Sequence, residues 1–252
     1  MLNFILKYYP PLMWFIVTVE AALTFRLFQE AALRRAARDR ALASRISLLS
    51  GLAALGLLTD ALVIACGAFL PVMVLAPLSR VRLLARALLL PLLFPVCGYA
   101  LRLKKNIMLS VWTFTVALLA AGTVSAVLTV LEPNYIAGII RFTSAPSTAK
   151  LADAISTMVT NVAMLALVLV GAVVWGKYRT PYLFLGGVVL TVFTALGSVT
   201  GTPYLSFFFR MVGEMGVVIF LYLYCRFAPP AKAEEPAAST APADAGNAAA
   251  QA

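Results

Sequence analysis

Apolar residues in this chain gather into runs of about 20, the length that crosses a hydrocarbon core of about 30 Å at a helical rise of about 1.5 Å per residue. Seven runs, at 10–29, 46–69, 81–101, 107–131, 151–175, 182–201 and 204–227, predict seven membrane-spanning helices. The third opens on Arg82 and Arg86 and contains Pro91 and Pro95, so it predicts a kinked helix. The longest polar connection, 132–150, holds an apolar stretch from Tyr135 to Phe142 that is too short to span. It predicts an interfacial helix over the mouth of the bundle, or a loop dipping into the interface. From Ala228 the pattern stops. Pro229, Pro230, Pro236 and Pro242 stand among Ala, Ser and Glu in a low-complexity tail that cannot bury a core and is expected to be disordered. The expected fold class is an all-α polytopic membrane protein: a seven-transmembrane-helix bundle over 1–227 and a disordered tail over 228–252.

Composition removes the alternatives. Hydrophobic residues make up 62% of the chain and charged residues 12%, where a soluble domain averages about 25% charged. The net charge of +10 follows from topology rather than from nucleic-acid binding. With seven spans, Arg34, Arg35, Arg38, Arg40, Arg45, Arg102, Lys104, Lys105, Lys177, Arg179, Arg226 and Lys232 flank one face of the membrane. Only Lys7, Arg80, Arg141 and Lys150 flank the other. A re-entrant third segment would erase this bias. The positive-inside rule therefore predicts seven spans with the N-terminus outside and the C-terminus in the cytoplasm. The basic stretch Phe28–Arg45 is expected to continue the first helix into the cytoplasm and then turn, its arginines facing water and anionic lipid headgroups. The expected location is the plasma (inner) membrane, as a multi-pass protein, with membrane lipids and a small solute or lipid ligand as partners and no nucleic acid.

Several chemistries are excluded at once. The chain has no histidine, which removes His-ligated haem, histidine-based zinc sites and His-dependent triads. Cys66, Cys97 and Cys225 fall in apolar runs without disulfide or metal spacing and read as small buried residues. No metal or cofactor is expected. Only Lys7 precedes the first apolar run, with no short cleavable segment after it, so that span is expected to stay in place.

What does carry chemistry is a set of charges inside the apolar runs. Glu20, Asp60 and Glu214 each fall about 14–15 Å into their runs by helical rise, and Arg86 and Arg210 about 8–9 Å from the outer end. Arg210 and Glu214 are four residues apart and share a helix face. Five such charges left unpaired would cost about 15 kcal/mol at about 3 kcal/mol each. They are therefore expected to face the bundle interior and to pair, or to line water. Three acids against two arginines leave one carboxyl without an evident partner, the type of group that a proton carrier or general acid needs. Asn161, about 15 Å into the fifth run by helical rise, joins this set. Asp153 and Thr157 share its helix face, and Thr191, Thr194 and Ser198 recur on the sixth run as helix-packing contacts. Gly197 and Gly201 form a GxxxG pair that suits close helix approach.

The expected ligand-binding or proton-handling residues are Glu20, Asp60, Arg86, Asn161, Arg210 and Glu214. Three uses are open. One is transport of a small polar or anionic solute, with proton coupling through Asp60 or Glu214. In span count and orientation the chain resembles the PQ-loop and SWEET sugar carriers, but their Pro-Gln dipeptide is absent and Pro10-Pro11-Leu12 is the nearest local feature. A second is an acid–base enzyme acting on a lipid or isoprenoid, with an architecture similar to compact seven-helix terpene cyclases. The third is a receptor-like or assembly subunit. A retinal-binding opsin is disfavoured because the seventh run lacks a lysine for a Schiff base.

Overall fold

The computed structural model describes residues 7–36, 41–136 and 138–227. The predicted tail from Ala228, and residues 37–40 of the basic stretch expected to turn, lie outside the described residues. Among the described residues seven spans are long and apolar enough to cross a membrane, which makes this an integral multi-pass membrane protein. They are α1 (Tyr9–Ala36), α2 (Ala41–Cys66), a broken third span, α5 (Lys105–Leu128), α6 (Lys150–Tyr178), α7 (Tyr182–Val199) and α8 (Pro203–Phe227). The third span consists of α3 (Val72–Leu89), a 3-10 turn (Leu90–Leu92) and α4 (Leu93–Ala100). Pro91 lies in that turn, so the break falls where a missing N–H and the proline ring disfavour a continuous α-helix.

The third span begins at Val72 rather than at 81, which moves Arg82 and Arg86 from a helix entrance to a helix interior. The sequence boundary fails for a physical reason. Hydropathy counts an arginine as a cost whether or not a carboxylate awaits it.

The connection after α5 is neither an interfacial helix nor an irregular loop. It is an antiparallel hairpin of β1 (Leu131–Ile136) and β2 (Ile139–Ser144), with Asn134 opposite Arg141 and Ile136 opposite Ile139. Gly138 in the two-residue turn has φ +81°, which the tight hairpin requires and glycine permits. The hairpin is pressed onto the C-terminal end of α2. The Ile140 N–H donates to the Gly67 carbonyl at 3.0 Å, and a Cβ on Gly67 would stand 2.0 Å from the Ile140 oxygen. Arg80, at the same end of the bundle, donates to the carbonyls of Ala126 and Thr129 and so caps α5.

Helix α2 is the most enclosed span and packs against α1, α3, α4 and α8. Among the described residues two large apolar cores run through the bundle, beside a third, small cluster of Val63, Leu75 and Phe142 under the hairpin. One, at the hairpin end, contains Met13, Ile16, Ala61, Ile64, Ile139 and Met211. The other, toward the opposite end, contains Leu27, Leu57, Leu90, Leu93, Val217 and Leu221. Along α1, α2 and α8 the boundary between them falls between Val17 and Leu27, between Leu57 and Ala61, and between Met211 and Val217. Glu20, Asp60 and Glu214 occupy these three gaps. The outward faces carry apolar side chains such as Phe15, Phe25, Leu165 and Leu169, as lipid contact requires.

Candidate functional site: a buried charge layer

The layer is built from four helices and the hairpin. Asp60 on α2 holds two arginines of α3, one on each oxygen: Arg82 Nε stands 3.2 Å from Oδ1 and Arg86 Nη1 2.5 Å from Oδ2. The second terminal nitrogen of Arg86 donates to Glu214 Oε1 on α8 at 2.7 Å, and that oxygen also accepts from Arg210 Nε at 3.0 Å. The chain Arg82–Asp60–Arg86–Glu214–Arg210 therefore ties α2, α3 and α8 together. Arg82 and Arg86 are one helical turn apart and share a face of α3, which lets a single aspartate bridge both. Arg82 also reaches the hairpin, donating from Nη2 to the Phe142 carbonyl at 3.0 Å. These contacts put Arg86 level with the carboxylates rather than above them, because the long arginine stem removes the offset that a count of residues along the helix suggests.

Two members stand apart. Glu20 on α1 is 1% exposed, has no ion-pair partner among the described residues, and its Oε2 accepts no hydrogen bond. Its nearest charged neighbours include Glu214 and Asp60, which repel it, and Arg86, which attracts it but is already doubly engaged. Glu214 Oε2 is likewise buried without a hydrogen bond. Arg141 on β2 is 6% exposed, with Nε and Nη1 unpartnered, and lies 3.5 Å over the Phe207 ring of α8. Burial, with the Arg82 guanidinium nearby adding to it, pulls Arg141 down from its ordinary 12.5 to about 9, so it keeps its charge at neutral pH.

The structure thus brings together five of the six residues read from the sequence: Glu20, Asp60, Arg86, Arg210 and Glu214. Asn161 is not among them. It is exposed on the outward face of α6 together with Asp153 and Thr157, while its neighbour Thr160 turns inward toward Arg86. Thr191 and Ser198 donate to carbonyls of their own helix, so they satisfy themselves rather than bind a neighbour. In the glycine pair, a Cβ on Gly197 would stand 3.0 Å from the Ser206 backbone of α8, so glycine permits that close approach, but Gly201 lies beyond the helix at φ +63°.

Sequence reading missed Arg82 and Arg141. The four-residue spacing of Arg82 from Arg86 was a usable signal, since it puts both on one helix face. Arg141 had no comparable signal. It counts as a flanking charge until the hairpin folds it inward.

Next to Arg86, a cleft between α3, α5 and α6 is lined by Ser125, Thr129, Ser156 and Thr160 and has a volume of about 40 Å³. That is room for about three waters and not for an organic ligand. A second void of about 10 Å³ separates Arg86 and Glu214 from Leu57 and Leu190. In this conformation the layer is closed to anything larger than water on these two sides. Among the described residues no cluster of His, Cys, Asp or Glu could hold a metal ion.

No protein-family model matches the chain, and no curated protein matches it.

Proposed function

We propose that this protein is a permease-like carrier of a small anionic solute, coupled to protons through Glu20. One observation carries the reading: the charge layer is unbalanced at both edges. A network that served only to fix helix register would need the Asp60–Arg86–Glu214 chain and nothing more. Here the Glu20 carboxyl and the Arg141 guanidinium, neither with an ion-pair partner among the described residues, are buried beside it. An ionised carboxylate in such surroundings costs several kcal/mol, and a neutral acid costs much less. Glu20 is therefore the member of the layer suited to taking up and releasing a proton, rather than Asp60 or Glu214, each held by two arginines.

The ion-pair chain serves as the closed gate in this reading. It ties α2, α3 and α8 across the boundary between the two cores, so separating these helices opens the layer. The same geometry argues against an acid–base lipid enzyme. Asp60 and Glu214, the pair that would act as acid and base, are committed to guanidinium partners, and the two adjoining clefts have room only for water-sized occupants. By the positive-inside rule the hairpin end faces outward, so solute enters from outside.

The test is flux. Protein reconstituted in phosphatidylcholine liposomes with a trapped pH dye is offered sodium acetate, lactate, succinate and phosphate in turn. The proposal expects anion-dependent proton movement with at least one of them, lost in Glu20→Gln. Absence of flux with every anion, from protein that remains folded, would leave the layer as a structural network.

A further inference from the structure

We propose that Arg141 is the anion-contacting residue of this protein, binding an oxyanion, carboxylate or phosphate, through its guanidinium fork. The inference deepens the transport reading and rests on it for the direction of entry, but binding can be measured without any flux.

Three observations carry it. The first is position. Arg141 sits on a hairpin at the end of the bundle, where a long flexible side chain can turn out to water or headgroups at little cost. It turns inward instead and is 6% exposed. The second is preparation. The strand that carries it is tied down on both sides of the residue, by the Ile140 N–H on the Gly67 carbonyl at 3.0 Å and by Arg82 Nη2 on the Phe142 carbonyl at 3.0 Å. The guanidinium carbon itself lies 3.5 Å from the centroid of the Phe207 ring, a cation–π contact that helps to hold it in place. Nε and Nη1 have no acceptor, and no ion pair to Arg141 occurs among the described residues.

The third observation is charge. Arg141 is within electrostatic range of Arg82 and Arg210, and Arg82, Arg86 and Arg210 already share the two carboxylates Asp60 and Glu214. Glu20 pairs with none of them. Whether Glu20 is ionised or neutral, the layer carries an excess of positive charge, because four guanidiniums face two or three carboxylates, and Arg141 is the one that no carboxylate pairs among the described residues. A buried cation of this kind calls for an anion, and a planar fork with parallel N–H groups matches two oxygens of a carboxylate or phosphate better than it matches a spherical ion.

The source of the oxyanion is a solute or a lipid headgroup, and the experiment separates them. Protein in phosphatidylcholine nanodiscs is heated in sodium acetate or sodium phosphate and in sodium chloride at equal ionic strength and pH 7. The proposal expects a saturable rise in the unfolding midpoint with acetate or phosphate over chloride. It expects Arg141→Gln to abolish the rise and Arg141→Lys, which keeps the charge without the fork, to weaken apparent affinity by about tenfold. If nanodiscs containing phosphatidylglycerol raise the midpoint in chloride alone and leave no further effect of acetate, the oxyanion comes from lipid. Two results overturn the proposal: no oxyanion effect over chloride in either membrane, or an unchanged effect in Arg141→Gln. Should Arg141→Gln fail to fold, Arg141→Lys and the titration of the unaltered protein decide it. Binding without flux would retain the site and end the transport reading. Flux that persists in Arg141→Gln would do the opposite.

Discussion

Asp60 and Glu20 lie on neighbouring helices, at the same boundary between two apolar cores, and meet opposite environments. Asp60 has an arginine on each oxygen and joins α2 to α3, and one of those arginines, Arg82, reaches on to the hairpin. Glu20 is as deeply buried and has none. Arg141 mirrors Glu20 from the hairpin, a buried cation beside a network that does not include it. The difference separates two uses of buried charge. Paired groups lock the bundle; unpaired groups are unfavourable for folding and gain a rationale when a proton or an anion completes them.

The comparison can be broken first at its paired side. Asp60→Asn leaves Arg82 and Arg86 without their shared carboxylate, and removing one partner of a buried pair is expected to destabilise by about 3–5 kcal/mol. Unfolding of the purified protein in mixed micelles measures this. A loss no larger than that of a surface substitution would mean the pairs are not formed. Arg86→Met should cost less than Asp60→Asn, because Asp60 keeps Arg82 and Glu214 keeps Arg210, and its combination with Asp60→Asn should cost less than the two separately, because both single changes lose the same Asp60–Arg86 pair.

Arg210 gives a smaller effect. Its side chain is 34% exposed, and Glu214 keeps Arg86 when Arg210 is gone. Arg210→Gln is expected to cost about 1 kcal/mol or less in the same unfolding assay. A value near that of Asp60→Asn would place Arg210 inside the lock rather than at its rim. Smallest of all is Asn161→Leu, which removes an outward-facing amide and is expected to change stability by less than about 0.5 kcal/mol and leave flux unaltered. A flux defect there would return Asn161 to the site.

How much of this was legible in the sequence follows from what each signal depends on. The seven spans were legible because a 20-residue apolar run has one stable use in lipid. The three carboxylates were legible because each interrupts such a run. The start of the third span was not, since Arg82 and Arg86 read as an entrance until Asp60 and Glu214 are known to meet them. The hairpin was concealed by its apolar content, although Tyr135-Ile136 and Ile139-Ile140 on either side of a glycine-bearing dipeptide fit a two-residue β-turn better than a helix. Arg141 depends on that hairpin and was lost with it. Asn161 shows the converse error: depth along a helix was legible, but the face on which the residue lay was not.

The central claim is that Glu20 handles protons rather than supporting the fold, and Glu20→Gln tests it directly. Glutamine keeps the shape and removes the ionisable group. Unfolding and anion-driven proton flux are measured on the same reconstituted preparation. The account predicts stability within about 1 kcal/mol of the unaltered protein, with proton movement abolished. Glu20→Gln protein that unfolds several kcal/mol more easily, or that moves protons as before, would contradict it.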